Sequence, residues 1–203
     1  MSRNELNVFE FLPGSVIHSN LVKLLGRRGV ALSPHTPPDY KQIRSSDVVL
    51  HHFRAGHIVV FFCQTQRGIG VGSVREVREV MDGYASKDVI MVCPNLTSSA
   101  VAEIRKYVLE EGVYIVNITP AALSFDLCSH RSVPPHRLMS RAEIKQLVAK
   151  YNLTMSQIAS IHLDDPVVKH YGAKVGDVFE IMRMRPNTKA AIAYRKVLGP
   201  CES

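Results

Sequence analysis

The fold of this chain is decided by an uninterrupted apolar run, IVVFFC at residues 58–63. Two further runs have the length of strands, VIMVC at 89–93 and VYIV at 113–116. Helix patterns lie between them, one from Ser73 to Met81 and one ending at Glu111. Strands that are apolar throughout are buried on both faces of their sheet. The block from about 55 to 125 therefore predicts α/β layers, with helices covering the strands.

Small polar residues at the starts of these helices are typical N-caps. Ser73, with Glu76 three residues further on, has the spacing of a capping box. Either Ser98 or Ser99 can cap the second helix, and Gly112 can end it. Both helices thus have start signals that are independent of the strand pattern.

A proline pair, Pro134-Pro135, marks the best domain boundary, since proline neither continues a helix nor joins the interior of a sheet. The charge balance also changes there. Residues 1–135 carry 14 basic and 12 acidic side chains, and residues 136–203 carry 11 and 6. We predict an N-terminal domain at 1–133 and a C-terminal domain at 134–203.

The predicted C-terminal domain mixes helices and strands. Ser140 to Glu143 has capping-box spacing, and Asp165-Pro166 can begin a short helix. Apolar segments at 178–181 and 191–194 are typical of a β-hairpin, joined by a polar turn at 185–189. The fold class is α+β overall: an α/β domain followed by a small mixed domain.

Composition limits the partners. The 203 residues carry 25 Lys and Arg against 18 Asp and Glu, a formal charge of +7, which favours polyanions or acidic protein surfaces. A solvated basic face has equal weight on charge alone. Four cysteines without a C-x-x-C pair, Cys63, Cys93, Cys128 and Cys201, indicate reduced thiols and an intracellular protein. We expect no signal peptide and no membrane span.

Motifs for nucleotide and metal binding have the wrong spacing. The glycines of GIGVGS, residues 68–73, depart from G-x-G-x-x-G, and no P-loop lysine follows, so a tight turn is favoured. His51, His52 and His57, with Cys63, lack the spacing of zinc ligands, and His51 and His57 are expected to flank a surface turn. We expect no cofactor and no metal.

A nuclease would need an acidic residue and a D/E-x-K triplet on neighbouring strand positions. Asp39-Tyr40-Lys41 is expected in a proline-rich loop, Glu143-Ile144-Lys145 falls in a helix, and the first apolar strand ends in Cys63-Gln64-Thr65. No G-x-S-x-G elbow occurs either. We predict no active site. A metal-dependent DNA nuclease, a nucleotide-binding protein and a free DNA-binding transcription regulator are the alternatives.

The C-terminal segment DPVVKHYG at 165–172, followed by Gly176-Asp177-Val178 and Tyr194-Arg195, forms a specific pattern. It resembles the assembly domain of the fifth-largest subunit shared by eukaryotic nuclear RNA polymerases, whose smaller archaeal relative lacks the N-terminal part. NLTSSA at 95–100 and VNIT at 116–119 resemble segments of the eukaryotic subunit. The sequence departs from that family at Ser98 and Ser160, where the family has proline, and at the hairpin tip.

The resemblance implies a non-catalytic subunit of a multisubunit DNA-dependent RNA polymerase. Its N-terminal domain would be a nuclease-like jaw near downstream double-stranded DNA, faced by Thr97, Ser98 and Ser99. Its C-terminal domain would pack against the largest subunit, within a complex that contains other polymerase subunits. The residues expected at that interface are His136, Arg137, Asp165, Pro166, Gly172, Gly176, Arg183, Tyr194 and Arg195.

The resemblance implies neither a small-molecule substrate nor a membrane. It implies the nucleus for a cellular protein, or the host cytoplasm and virion for a copy encoded by a large DNA virus.

Overall fold

The computed structural model describes residues 15–32, 39–44, 48–64, 68–185 and 188–199. It contains helices and two mixed sheets, an α+β fold, in two compact units, 1–125 and 126–203. This division falls before Pro134-Pro135, because the 3-10 helix Leu127–Ser129 packs against a helix of the second unit. No helix in these ranges is long and apolar enough to span a membrane.

The first unit is built around a five-stranded sheet of order β1-β2-β3-β4-β5. Strands β1 to β3 are antiparallel, and β3 to β5 are parallel. Its elements in chain order are α1 Val16–Arg27, β1 Lys41–Arg44, β2 Val49–Ala55, β3 Ile58–Gln64, α2 Val71–Gly83, β4 Asp88–Val92, α3 Ser98–Glu111, β5 Tyr114–Ile118 and the 3-10 helix Pro120–Leu123.

Both faces of the parallel strands β3 to β5 are buried, as the apolar runs predicted. On one face, Phe61 and Met91 join a cluster that includes Val77 and Met81 of α2. Successive side chains of a strand point to opposite faces, so Ile90 lies on the other side, where it is also fully buried. Each α/β crossover is therefore packed against strands that have no solvent-exposed face.

The second unit contains a four-stranded sheet of order β6-β8-β9-β7. Strands β8 and β9 form the predicted hairpin, and its tip at 186–187 lies outside the described residues. The elements after Leu127–Ser129 are β6 His136–Leu138, α4 Arg141–Tyr151, β7 Ser160–His162, α5 Pro166–Tyr171, β8 Val178–Arg185 and β9 Thr188–Leu198.

Local signals set the helix ends in this unit. The Ser140 hydroxyl accepts from the Glu143 N–H, and the Glu143 carboxylate accepts from the Ser140 N–H, which completes the predicted capping box. Asp165 caps α5 by accepting from the Val167 N–H at 2.8 Å. Gly172 ends α5 with φ +64°, a left-handed conformation that favours glycine.

Two predictions for the segment at 68–73 were wrong. Ser73 does not cap α2; the helix begins at Val71 after an extended Gly70, and Ser73 is buried one turn inside it. The glycines do not form a tight turn, because Ile69 makes a parallel bridge with Leu96. A long-range strand contact, invisible to local spacing, holds this segment extended.

The histidines of the first unit also differ from expectation. His51 lies in the middle of β2 and does not flank the surface turn, which Gly56 and His57 form. Neighbouring His52 is buried and points to the opposite face of that strand. The two side chains therefore do not converge.

Candidate functional site

The starts of α2 and α3 lie side by side, at the edge of the sheet where β3 and β4 end. The Ile69 N–H donates to the Asn95 carbonyl, and the Thr97 N–H donates to the Ile69 carbonyl, both at 3.0 Å. A side chain at Gly68 would place its Cβ 3.3 Å from Thr97 Cγ2, a tight contact that the threonine methyl would have to relieve by a small shift. The two helix N-termini thus form one surface.

Thr97, not Ser98 or Ser99, caps α3. Its hydroxyl accepts from the Ala100 N–H at 3.3 Å and donates to the Ile69 carbonyl at 3.2 Å. Ser99 Oγ lies 3.1 Å from Thr97 Oγ1. The side chains of Ser98 and Ser99 are exposed, so the three residues expected to face DNA are contiguous and two of them are open to solvent.

The start of α2 leaves backbone donors accessible. Gly70 occupies the N-cap without a side-chain hydrogen bond, and a Cβ at Gly70 or Gly72 would meet nothing within 4 Å. The first N–H groups of a helix have no partner within the helix and carry partial positive charge. Two adjacent starts therefore offer an anion more than one backbone donor.

Side-chain charge at this surface is partly compensated. Arg75 of α2 is exposed and pairs with Glu103 of α3, whose Oε1 lies 3.4 Å from Arg75 Nε. The backbone donors of the two helix starts carry no base preference.

Strand β3, where a nuclease triplet was sought, lacks the residues for it. Residues 58–64 of β3 include no acidic residue and no lysine. A hydrogen bond with Cys93 and burial raise the pKa of the Cys63 thiol well above its usual range, and Cys93 Sγ donates to Asn117 Oδ1 at 2.8 Å. Burial lowers the pKa of His52, which stacks on Phe61 at 5.3 Å between ring centroids. Burial therefore favours the neutral forms of Cys63 and His52, which serve the core.

The residues expected at a subunit interface divide between the two faces of the second sheet. In the β8–β9 register, Phe179 pairs with Arg195 and Arg183 pairs with Ala191. Both arginines therefore lie on the side of the sheet that α5 covers. Glu180 faces Tyr194 on the opposite face, which α4 covers. The sequence did not predict this division.

On the α5 face, His136 lies among several charges. Burial lowers the pKa of His136; the Pro134 carbonyl and Asp165 oppose that shift, and Arg183 and Arg195 add to it. The ring Nδ1 lies 2.6 Å from the Pro134 carbonyl oxygen, and Tyr171 donates to the His136 carbonyl at 2.7 Å.

Several of the expected interface residues also have local structural roles. Arg195 Nη1 donates to the Ser160 carbonyl at 3.0 Å, which ties β9 to β7. Asp165 and Pro166 form the first turn of α5. Gly176, with φ +91°, donates its N–H to the Val197 carbonyl at 3.0 Å. The exposed members of the expected set are Arg137, Pro166, Gly176 and Arg183.

The α4 face carries an ion-pair network at its edge. Arg137 donates to Glu143 at 2.6 Å and to Glu180 at 2.8 Å, and so links β6, α4 and β8. Hydrogen bonds from the Ser140 N–H and from Arg137 lower the pKa of Glu143 to about 2. Tyr194 packs against Leu147 and the rest of the small core beneath α4.

An exposed apolar pair lies further along the same face. Met182 and Ile192 stand directly opposite each other across β8 and β9 and are 43% and 53% exposed. Alternation places them on the face of Glu180 and Tyr194, beyond the part that α4 covers. Adjacent exposed apolar side chains make this part of the sheet a candidate contact surface. The alternation of Met and Arg at 182–185 of β8 was the sequence signal that could have identified Met182.

Comparison with known proteins adds an independent result. The sequence profile of the family described as RNA polymerase Rpb5, C-terminal domain, matches residues 125–197. The chain is 30% identical over 139 residues to "DNA-directed RNA polymerases I, II, and III subunit rpabc1" of Dictyostelium discoideum, covering 68% of this chain and 70% of that protein. The Caenorhabditis briggsae subunit RPABC1 is 29% identical, covering 80% and 77%.

An archaeal relative matches about a third of this chain. Rpo5 of Pyrococcus horikoshii, a DNA-directed RNA polymerase subunit, is 42% identical over 74 residues, which cover 36% of this chain and 90% of that protein. These matches agree with the assembly-domain pattern and give the nuclease alternative no support. The chain therefore belongs to the Rpb5 family of non-catalytic DNA-directed RNA polymerase subunits.

Proposed function

We propose that the chain anchors to the largest subunit of its polymerase through residues 134–203 and holds residues 1–133 as a jaw near downstream double-stranded DNA. The exposed Met182–Ile192 pair carries the first half of this proposal. A docked partner would bury both side chains, and burial of apolar surface is the main driving force of stable association. The expected complex includes the other polymerase subunits.

The other residues expected at the interface form two sets, one available to a partner and one that supports the fold. Arg183 and Pro166 are exposed and available to a partner. His136, Arg137, Asp165, Gly172, Gly176, Tyr194 and Arg195 support the sheet and its turns, and so shape the surface that docks. Substitutions in the second set should weaken assembly indirectly, by disturbing the local structure that shapes the docking surface.

Purification of the tagged full-length chain tests the anchoring. We expect the two largest polymerase subunits to co-purify with the wild-type chain and to be reduced at least about tenfold by the double change Met182→Ser and Ile192→Ser. Val175→Ser is the matched control, since Val175 is 52% exposed in the same unit but lies outside the sheet face. Equal recovery of both variants would reject this face as the docking surface.

The jaw role rests on the surface at Thr97, Ser98 and Ser99, where two helix starts meet. Contacts from backbone N–H groups to phosphates would be independent of base sequence and would weaken as salt rises. We expect a photoreactive residue at Ser98 to cross-link to downstream duplex in the assembled polymerase. The same residue at exposed Gln146 of α4 should not. Equal labelling at both positions would remove Thr97–Ser99 from the DNA-facing set.

The place of action follows from the assembly. The eukaryotic and archaeal relatives are polymerase subunits, which supports an intracellular site, nuclear or cytoplasmic. The altered hairpin tip and the Ser98 and Ser160 replacements fit a divergent cellular lineage or a virus-encoded copy working in the host cytoplasm. Fractionation of cells that express the chain from its native locus, followed by immunodetection, separates these options.

A further inference from the structure

Three side chains with different ligand atoms converge in the second unit. Within the described residues, a carboxylate oxygen of Asp126, Sγ of Cys128 and a ring nitrogen of His170 all lie within 4.8 Å of one another. Asp126 and Cys128 belong to the turn around the 3-10 helix Leu127–Ser129, and His170 belongs to α5, against which that turn packs. The cluster thus joins two elements that are far apart in the sequence.

The turn holds the first two groups in place. Ser129 Oγ donates to Asp126 Oδ2 at 2.7 Å, and the Ser129 N–H donates to the Asp126 carbonyl at 3.1 Å. Hydrogen bonds of this kind orient the carboxylate ligands of metal ions. His170 is 2% exposed, whereas Asp126 and Cys128 are half-buried, so the cluster opens to solvent on the side of the turn.

The chemistry of the donors selects the ion. Thiolate and imidazole favour zinc over the hard cations calcium and magnesium. Zinc bonds of about 2.0 to 2.3 Å in a tetrahedral site place ligand atoms roughly 3.5 Å apart. Small side-chain rotations would therefore shorten the separations between these ligand atoms, now within 4.8 Å, to the spacing of zinc ligands. We propose that Asp126, Cys128 and His170 bind one zinc ion, with water as the fourth ligand.

Binding would fasten the 126–130 turn to α5. Cys128 would coordinate as the thiolate and release its proton to solvent, so affinity would rise with pH. A small unit with little core gains from such a staple, because a metal that binds only the folded state adds its binding free energy to stability. The ion would stabilise α5, which also carries Asp165 and Pro166.

Metal titration of the full chain tests the proposal. We expect one equivalent of Zn²⁺, and Co²⁺ as a probe should show thiolate-to-metal absorption with tetrahedral d–d bands. Cys128→Ser should abolish the thiolate absorption, and Asp126→Asn should weaken zinc binding about tenfold or more. Both side chains are half-buried, so these variants should keep the metal-free circular dichroism spectrum. His170 is left unchanged because its side chain is part of the buried interior.

Matched controls exclude adventitious binding. His162→Gln and Asp164→Asn alter an exposed pair in the same unit, and Cys63→Ser alters a buried thiol in the other unit; none should change the stoichiometry. Less than one equivalent in the wild-type chain would overturn the proposal. So would unchanged thiolate absorption in Cys128→Ser, which would assign the metal to another cysteine. Neither result depends on whether the chain enters a polymerase.

Discussion

In the described part of the first unit, a cluster of fifteen buried residues joins one face of the sheet to α2 and α3, and the opposite face is buried as well, for example at Ile90. The second unit divides its core into clusters of six and four, one on each face of its sheet. Ion pairs support both units: Arg137 bridges Glu143 and Glu180 in the second, and Arg78 pairs with Asp82 and Glu111 in the first. Small domains bury a smaller share of their surface and are correspondingly marginal. The smaller clusters predict that the second unit is the less stable of the two.

The largest expected effect comes from removing one buried ring in each unit. Phe61 and Phe179 are both fully buried, so Phe61→Ala and Phe179→Ala should each cost about 3 to 5 kcal/mol. That loss should unfold the second unit at room temperature and leave the first folded. Amide NMR spectra of each variant, with the wild-type chain as control, resolve the two units. The opposite result is that Phe61→Ala loses the first-unit signals while Phe179→Ala keeps the second-unit signals. That result would show that the first unit is the less stable of the two.

The helix caps give the next effect. Thr97→Ala should destabilise the first unit by about 1 kcal/mol, because the change removes the cap of α3. Asp165→Ala should cost the second unit a similar amount, but a larger fraction of its stability. Urea unfolding of the full chain measures both. Ser98→Ala is the control, since Ser98 is exposed and does not cap, and a loss equal to that of Thr97→Ala would contradict the assignment.

Substitutions of Arg195 and Arg183 distinguish an effect on folding from an effect on docking. Arg195→Ala should cost the second unit about 0.5 to 1.5 kcal/mol by removing the hydrogen bond to the Ser160 carbonyl. Arg183→Ala should cost less, since Arg183 is exposed at the open end of the same face. If both arginines contact the largest subunit, both variants should also reduce its recovery. Normal recovery with either variant removes that arginine from the interface, whatever its effect on stability.

The smallest expected effect is a change in how the stability of each unit depends on pH. Burial lowers the pKa of His18, His51 and His52 in the folded chain. The same histidines therefore bind protons more readily when the chain is unfolded. The first unit should lose stability as pH falls below about 6.5. In the second unit, Glu143 has a pKa of about 2 instead of 4.5, so its contribution is present above 4.5 and lost as pH falls toward 2.

Thermal unfolding between about pH 7 and pH 3 measures these losses. His52→Phe should flatten the change between about pH 6.5 and pH 5 in the first unit, because the variant removes a titrating group from a stacked position. Glu143→Gln should flatten the change below pH 4.5 in the second unit. Identical pH profiles for each variant and the wild-type chain would show that these groups do not set the acid limit.

Local patterns predicted much of this fold. The runs at 58–63, 89–93 and 113–116 became β3, β4 and β5, and the hairpin became β8 and β9. The strands β1, β2, β6 and β7 were not predicted. Polar residues interrupt β2 and β6, and β7 has three residues, so their pairing and not their propensity makes them strands.

The candidate surfaces were only partly predictable. The sequence identified the neighbourhood of Thr97 and the polymerase-like segment at 165–178, but it assigned the α3 cap to Ser98 or Ser99. Thr97 caps because its hydroxyl also reaches the Ile69 carbonyl, a contact that depends on the Ile69–Leu96 bridge. The Met182–Ile192 pair required the β8–β9 register and the limited reach of α4.

The sequence by itself determined the burial of the parallel strands, the capping of α4 and α5, and membership of the Rpb5 family through a motif that is local in the chain. Tertiary structure alone decided which residues meet. It brought the starts of α2 and α3 together, divided the expected interface between two sheet faces, and placed His170 beside Asp126 and Cys128. Local interactions act over about three or four residues, whereas these encounters join residues that only the packed sheets bring into contact.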